Sequence, residues 1–297
     1  MTERKALKVF AVANNKGGVG KTTTAANLAY GLSRKLLGEN GSPTGHVLLV
    51  DLDPQGNAAD ALGLRPFVYD PEHNPEGTCI SQLFTEQRGL RDAIIPGERK
   101  EGSNRPNLFL LPASRALEQA TSKIVLSNMQ SMMVGQDVVP INELLSHYVG
   151  PALRAFDFIV LDCPPKMDVL KGAVYRFADE VIVPVQAHFL SAMGARQHVD
   201  DVLALVSGGV DVKVSMVVPT VYDKRQVMAR QVLESLQRAY GHNMVADPIP
   251  NNVTVKEAPG VGLTVLEYAP DSQGGEAYQK LVDRVYNDVR RKVNEPS

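Results

Sequence analysis

The sequence predicts an α/β fold, a doubly wound, mostly parallel sheet with helices on both faces. Two patterns along the 297 residues indicate this class. Short apolar runs lack the alternation of a half-exposed strand, which is typical of strands covered on both faces. Longer helical patterns separate these runs, and such alternation favours parallel pairing through right-handed crossovers. We therefore expect a single domain over 1–297.

Each apolar run is predicted to be a strand, and most are followed by a candidate helix. The predicted strands are 7–13, 46–53, 107–113, 156–165, 180–186 and 212–220. The predicted helices are 21–37, 114–134, 141–155, 191–207, 225–240 and a last one near 274–293. Residues 65–106 are rich in charge, Pro and Gly, and we expect there a surface insertion with one short helix.

Composition narrows the possible classes of protein. A net charge of −2 excludes a uniformly basic coat for nucleic acid, although a local basic patch remains possible. Cys79 and Cys163 are the two cysteines, and they predict neither a disulfide framework nor a metal cluster. A reducing cytoplasm fits this usage. No apolar run approaches the roughly 20 residues of a spanning helix, so we expect no membrane insertion.

The stretch NNKGGVGKTTTAANLAY (14–30) lies between the first predicted strand and the first predicted helix. Its glycines allow consecutive backbone N–H groups to face an anion at a helix N-terminus. Lys21 would reach the β- and γ-phosphates of a nucleotide, and the Thr22 hydroxyl would bind Mg²⁺. Position 15 is Asn where the usual phosphate-loop pattern has Gly. The residues predicted to surround the phosphates are Gly17, Gly18, Val19, Gly20, Lys21, Thr22 and Thr23.

Carboxylates follow two of the apolar runs. Asp51 and Asp53 end the second run, where the period of two in a strand would point both side chains to one side. One or both would face the γ-phosphate, with Asp53 polarising the attacking water and Asp51 as a predicted Mg²⁺ ligand beside Thr22 and Asp162. The alternative is that Asp53-Pro54 begins a turn that Asp51 caps. In FIVLDCPP (158–165), Asp162 follows four apolar residues, a pattern typical of a residue that binds Mg²⁺ directly or through water.

These motifs together are similar to those of the ParA/Soj group of partition ATPases, which belongs to a wider family with MinD and the nitrogenase iron protein. The resemblance is carried by KGGVGKTTTAANLA (16–29), LLVDLDPQGNA (48–58) and FIVLDCPP (158–165). It continues through 181–194, 217–225 and 248–285, and only about 65–155 is poorly matched. The resemblance implies a weak ATPase that uses ATP and Mg²⁺.

The resemblance also implies a role for Lys16. In this family the first lysine of K-G-G-x-x-G-K-[ST] crosses a nucleotide-sandwich dimer and contacts the phosphates bound by the other subunit. The resemblance therefore implies a homodimer that forms only with ATP and depends on Lys16. It also implies that the catalytic residues are Lys16, Lys21 and Asp53. The late strands should supply the adenine contacts, at Thr220, Pro250, Asn251 and Asn252.

Family members bind nonspecific DNA as ATP dimers and are released when a ParB-like, centromere-binding partner stimulates hydrolysis. The implied location is the cytoplasm, on the nucleoid in the ATP state. The family's string IPRNVRLSEA has arginines where this chain has Asn251 and Thr254. Other cations could supply the DNA surface, or they could be ordinary solvated helix charges. The candidates are Arg225, Arg230, Arg238, Lys256, Lys280 and Arg284.

Alternatives to DNA partitioning remain open. An ATPase that positions a protein cargo or a membrane-linked complex would carry the same motifs. A small-molecule kinase or synthetase with the same loop is disfavoured, because no constellation for a second substrate is visible. The last helix has an apolar stripe and basic flanks, which would suit a membrane surface, but its valines favour packing on the sheet.

Overall fold

A seven-stranded sheet forms the centre of the computed structural model, which describes residues 8–85, 87–98, 103, 105–167, 169–187, 199, 202, 204, 206 and 208–294. The strands are Lys8–Val12 (β1), Val47–Asp51 (β2), Ile95–Pro96 (β3), Leu108–Leu111 (β4), Phe158–Asp162 (β5), Glu180–Gln186 (β6) and Lys213–Thr220 (β7). Their order across the sheet is β3-β4-β2-β5-β1-β6-β7. Only β3, paired with β4, is antiparallel among these strands. The predicted doubly wound, mostly parallel sheet is confirmed.

Helices connect the strands and cover both faces. In the described part of the chain the α-helices are Lys21–Lys35 (α1), Asn57–Ala61 (α2), Ile80–Phe84 (α3), Leu90–Ala93 (α4), Ala116–Met133 (α5), Leu144–Tyr148 (α6), Lys171–Phe177 (α7), Val227–Tyr240 (α8), Val253–Glu257 (α9), Val265–Tyr268 (α10) and Gln273–Asn294 (α11). The predicted helix 141–155 is shorter, because 3-10 turns flank α6. The predicted helix 191–207 lies largely outside the described residues.

The core forms two layers, one on each face of the sheet. Alternate residues of one strand enter different layers, so that Val9 packs on one side and Phe10 on the other. The first layer contains residues of α3, α5, α6, α7 and α8, and the second contains residues of α1, α2, α10 and α11. Burial of both strand faces explains why the strands read as continuous apolar runs.

The helix α11 packs against α1. Its apolar stripe is buried and comprises Tyr278, Leu281, Val282, Val285 and Val289. A Cβ added at Gly31 of α1 would lie 2.3 Å from Val282, so glycine permits the close approach of the two helices. This packing accounts for the stripe without a membrane. Among the described residues, no helix is long and apolar enough to span a bilayer.

The segment 65–106 contains more structure than one short helix. It carries α3, α4 and the edge strand β3. Ile80, Leu83 and Ala93 are buried in the core, so part of the segment packs under the sheet instead of lying on the surface. The apolar groups in CISQLF and DAII provide the physical reason. That the segment is an insertion into the domain stays a prediction.

Candidate nucleotide site

The phosphate loop connects β1 to α1 at the carboxyl edge of the sheet. Gly18 and Gly20 have φ angles of 73° and 86°, in the left-handed region that favours glycine. Gly20 is also the N-cap of α1. A Cβ added at Gly17 or Gly18 would meet no atom within 4 Å, so the loop is open on one side. An open, left-handed turn at a helix N-terminus is a geometry suited to a phosphate.

Two buried polar side chains hold this loop. Asn14 donates from Nδ2 to the Pro184 carbonyl (2.8 Å) and accepts from the Lys16 backbone N–H at Oδ1 (3.0 Å). Thr220 donates from Oγ1 to the Val19 carbonyl (2.8 Å). The loop is therefore tied to β6 and β7. Sequence reasoning did not single out Asn14, although a buried polar residue ending an apolar run is the available signal.

Lys21 points into the loop. Its Nζ donates to the Lys16 carbonyl over 2.8 Å, and the residue is only 7% exposed. Burial lowers the pKa of Lys21, while the carboxylates of Asp162 and Asp53 act in the opposite direction. The ammonium is thus held among acidic groups at the base of the loop, where a phosphate could replace the carbonyl as its acceptor.

Asp51 and Asp162 lie side by side in the register of β2 and β5, and both are fully buried. Asp51 accepts from the backbone N–H groups of Asp53 (2.9 Å) and Ala58 (3.1 Å). Neither carboxylate oxygen of Asp162 has a hydrogen-bond partner of normal geometry. The neighbouring carboxylates therefore differ: Asp51 organises the turn after β2, and Asp162 presents two unpaired oxygens.

The surroundings of Asp162 fit a magnesium ion. Burial raises its pKa to about 7, the charge of Asp53 acts in the same direction, and the adjacent Thr22 hydroxyl and the Lys21 charge act against it. Burial and the Asp162 charge likewise raise the pKa of Asp51. Unpaired buried oxygens cost free energy unless a cation or donor satisfies them. Mg²⁺ prefers such oxygens, together with phosphates and water.

Asp53 lies in a turn, because β2 ends at Asp51. The Gly56 N–H donates to the Asp53 carbonyl (2.8 Å), and Oδ1 of Asp53 accepts from the Gln55 N–H (3.0 Å). The alternation expected for a continuing strand therefore does not apply to Asp53. Its half-buried side chain lines a pocket of about 650 Å³ together with Asn15 and Gly17.

A second pocket, of about 300 Å³, lies on the other side of the loop. It brings together Gly18, Gly20 and Thr23 of the loop with all the residues predicted to contact adenine, which are Thr220, Pro250, Asn251 and Asn252. Val221, on the wall of this pocket, has a φ of 52°, an uncommon conformation for a β-branched residue. Such strain is often found at ligand sites.

The predicted DNA-binding cations occupy varied surroundings. Lys256 lines the 300 Å³ pocket. Arg284 donates to the Val245 carbonyl (3.0 Å) and to the Asn243 carbonyl, which anchors α11 to the segment after α8. Arg225 pairs with Asp223 (2.8 Å) but is 85% exposed. Exposed side chains are also found at Arg230, Arg238 and Lys280.

Comparison with known proteins supports a nucleotide site. Residues 7–208 match a family model described as an AAA domain. The chromosome-partitioning ATPase Soj of Thermus thermophilus is 33% identical, over 97% of this chain and 98% of Soj. The chromosome partitioning protein ParA of Caulobacter vibrioides is 31% identical, over 96% of each chain. The solved structure of cobyrinic acid a,c-diamide synthase from Mycobacterium smegmatis, with an ATP analogue and magnesium, has a TM-score of 0.71 at 26% identity and covers 98% of both chains.

Proposed function

Because the chain belongs to the ParA/Soj family of partition ATPases, we propose that it is an ATP-dependent switch for DNA partitioning. It is an ATPase, and its cofactors are ATP and Mg²⁺. In the proposed cycle the ATP-bound chain dimerises and binds DNA without sequence preference. Hydrolysis, stimulated by a ParB-like partner on a centromere site, returns it to a monomer, and the cycle segregates a plasmid or chromosome.

The observation that carries this proposal is the grouping of Lys21, Asp53 and Asp162 around one open loop, with the 300 Å³ pocket on its other side. Lys21 binds the β- and γ-phosphates. Thr22 and Asp162 would hold Mg²⁺, which would neutralise phosphate charge when bound. Asp51 supports this site by fixing the turn that carries Asp53.

Asp53 orients and polarises the water that attacks the γ-phosphate. Its position in a turn, and not in the strand, leaves the carboxylate half-buried on the wall of the 650 Å³ pocket. A carboxylate with both access to water and a fixed backbone is suited to this role. The adenine ring occupies the 300 Å³ pocket, between the loop and the segment 250–252.

The homodimer would close over the 650 Å³ pocket. Outside the phosphate loop, the exposed residues of its wall are Gln55, Glu118, Ser122 and Lys166, and they lie above apolar side chains such as Leu52 and Leu117 that are buried in the core. A second subunit would cover this wall and bring its Lys16 to the facing phosphates. A cation shared between two triphosphates offsets their repulsion, which makes dimerisation depend on ATP.

DNA would bind to the exposed cations of α8 and α11. Arg230 and Arg238 lie on α8, and Lys280 lies on α11. Arg225 contributes if its pairing with Asp223 yields to phosphate, and Lys256 and Arg284 are weaker candidates because of their positions. Each phosphate neutralised contributes about −0.9 to the salt slope of DNA binding, so a few such contacts give strong salt sensitivity.

Binding of random duplex DNA, measured with ATP, ADP or no nucleotide over a salt titration, tests this function. The proposal predicts that the chain binds DNA tightly with ATP but not with ADP or without nucleotide, and that the DNA affinity falls steeply as the salt concentration rises. If dimers form with ATP and DNA binding is missing in every state, a role in positioning a protein cargo replaces DNA partitioning.

A further inference from the structure

A connected set of polar residues, all buried except the partly buried Glu267, lies behind the 300 Å³ pocket. It comprises Asn27 of α1, Thr264 and Glu267 at α10, and Arg105, and we name it the buried polar set. We propose that Asn27 and Glu267 are positioning residues that fix the adenine-side wall of the pocket relative to the phosphate loop. This inference rests on the proposed placement of adenine in that pocket.

Asn27 joins two segments that are far apart in the sequence. Its Nδ2 donates to the carbonyl of Thr23 (2.8 Å), a residue of the pocket wall. Its Oδ1 accepts from the backbone N–H groups of Val265 (3.0 Å) and Leu266 (3.4 Å), 238 and 239 positions along the chain. Asn27 is 2% exposed, so water does not compete for these bonds.

Glu267 organises the same end of α10. Its Oε2 accepts from the backbone N–H of Thr264 (2.9 Å) and from the Thr264 hydroxyl (2.8 Å). This contact fixes the backbone that presents the Val265 and Leu266 N–H groups to Asn27. The wall residues Val255, Lys256 and Pro259 shortly precede Thr264 in the sequence. The position of this part of the wall therefore depends on the backbone at the start of α10.

Arg105 holds Glu267 in place. Its guanidinium makes a bidentate pair with the carboxylate, at 2.8 Å from Nε and 2.7 Å from Nη2. It also donates to the carbonyls of Leu62 (2.8 Å) and Gly262 (3.2 Å). The side chain of Arg105 is fully buried, so each of these bonds replaces one with water. The wall is thereby anchored at Gly262 as well as at α10.

The arrangement separates two parts of nucleotide binding. The phosphates are held by the loop itself and by Lys21. Of the residues predicted to surround the phosphates, Thr23 contacts the buried polar set, and it does so through its backbone carbonyl, which does not bind a phosphate.

The base needs the wall at a fixed distance from the loop. Backbone bonds to Pro219 and Tyr222 hold the part of the wall around Pro250 and Asn251. The bonds from Asn27 hold the later part, from Val255 to Pro259. Loss of these bonds should therefore weaken recognition of the base and leave recognition of the phosphates intact.

The test compares binding of MgATP with binding of inorganic tripolyphosphate and magnesium, by calorimetry on the full chain. For Asn27→Leu we expect the Kd for ATP to rise about tenfold and the Kd for tripolyphosphate to change less than about twofold. At saturating ATP the hydrolysis rate should stay unchanged while KM rises. Asn27→Asp keeps the acceptor for both N–H groups but loses the donor to the Thr23 carbonyl, so it should raise the Kd for ATP by a smaller factor than Asn27→Leu.

Asn107→Leu is the matched control. Asn107 is buried, and its amide donates to the carbonyls of Ser33 and Gly45 (2.9 Å each). It directly precedes β4, at the edge of the sheet opposite the nucleotide site. Its replacement should destabilise the fold without changing the ratio of the two affinities. Glu267→Gln keeps the side-chain shape and serves if Asn27→Leu does not fold; it should change the ratio in the same direction.

If the ratio of the Kd values for ATP and tripolyphosphate is unchanged in a folded Asn27 or Glu267 variant, or if both ligands bind more weakly by the same factor, this inference is wrong. The proposed function would not be affected by that result. If the wild-type chain binds ATP no more tightly than tripolyphosphate, the proposed adenine site is wrong, and the inference fails with it.

Discussion

Charged side chains occur both at the nucleotide site, on the carboxyl edge of the sheet, and on the helices α8 and α11. They are mostly buried at the nucleotide site and mostly exposed on the helices. At the edge, Asp51 and Asp162 are fully buried and Lys21 is nearly so. On the approach to α8, Arg225 is 85% exposed and paired with an aspartate two residues away. A buried charge left without its partner is costly, whereas an exposed ion pair contributes about 0–1 kcal/mol. Each charge at the edge therefore has an individual role, and the helix charges act through their sum.

The largest effect should come from Lys21→Ala. Removal of the ammonium leaves the phosphates without their main cation and leaves Asp162 without the charge that opposes its protonation. We expect ATP affinity to fall by about a hundredfold or more, measured by calorimetry. Lys35→Ala, at the exposed end of α1, is the control. Affinity within a fewfold of wild type in Lys21→Ala would show that the edge does not depend on individual charges.

Asp53→Ala should slow hydrolysis by about a hundredfold or more and leave ATP binding intact. The water near the γ-phosphate loses its polarising carboxylate, so an ATP-bound dimer should accumulate. Phosphate release and sizing chromatography measure the two results. Asp60→Ala removes a nearby exposed carboxylate that pairs with Arg65 and should behave as wild type. Unchanged turnover in Asp53→Ala would remove this residue from the mechanism.

Asp162 should make the metal-free chain less stable as pH rises. Its pKa is raised to about 7 in the folded state, against about 3.9 for an unfolded aspartate. Between these values the folded state holds the extra proton, so the free energy of unfolding falls as pH increases toward 7. Asp162→Asn has no carboxyl group to titrate at this position. In denaturant titrations its free energy of unfolding should therefore rise relative to that of wild type as the pH increases from 5 to 7.5. A pH-independent difference would contradict the burial argument.

The smallest effect should come from single cations on the helices. Arg230→Ala should lower the magnitude of the salt slope by about 0.9 and weaken binding of all DNA sequences alike. Arg176→Ala, which removes an exposed arginine of α7 outside the proposed DNA surface, is the control. A complete loss of DNA binding in Arg230→Ala would mean that these charges, like those of the edge, have individual roles.

The sequence predicted the residues of the nucleotide site better than the contacts that hold them in place. The strands that bring Asp51 and Asp162 to this site followed from apolar runs, since burial on both faces leaves a local pattern, although the predicted strands continued to 53 and 165. The unpaired state of Asp162 was not predictable, because it depends on which carboxylate the turn after β2 engages. Arg105 and Asn27 were missed for a similar reason. Their partners at α10, Glu267 and Val265, lie more than 150 positions away, and no periodicity reports such contacts.

The central claim is that Lys16 joins two ATP-bound subunits. Its backbone is fixed by Asn14, and it belongs to the loop beside the 650 Å³ pocket. The direct measurement is the mass in solution of Lys16→Ala, by light scattering with ATP and with ADP, beside wild type and the exposed-surface control Lys123→Ala. We predict that wild type and the control form dimers with ATP, and that Lys16→Ala binds ATP but stays a monomer. An ATP-dependent dimer of Lys16→Ala would contradict the account.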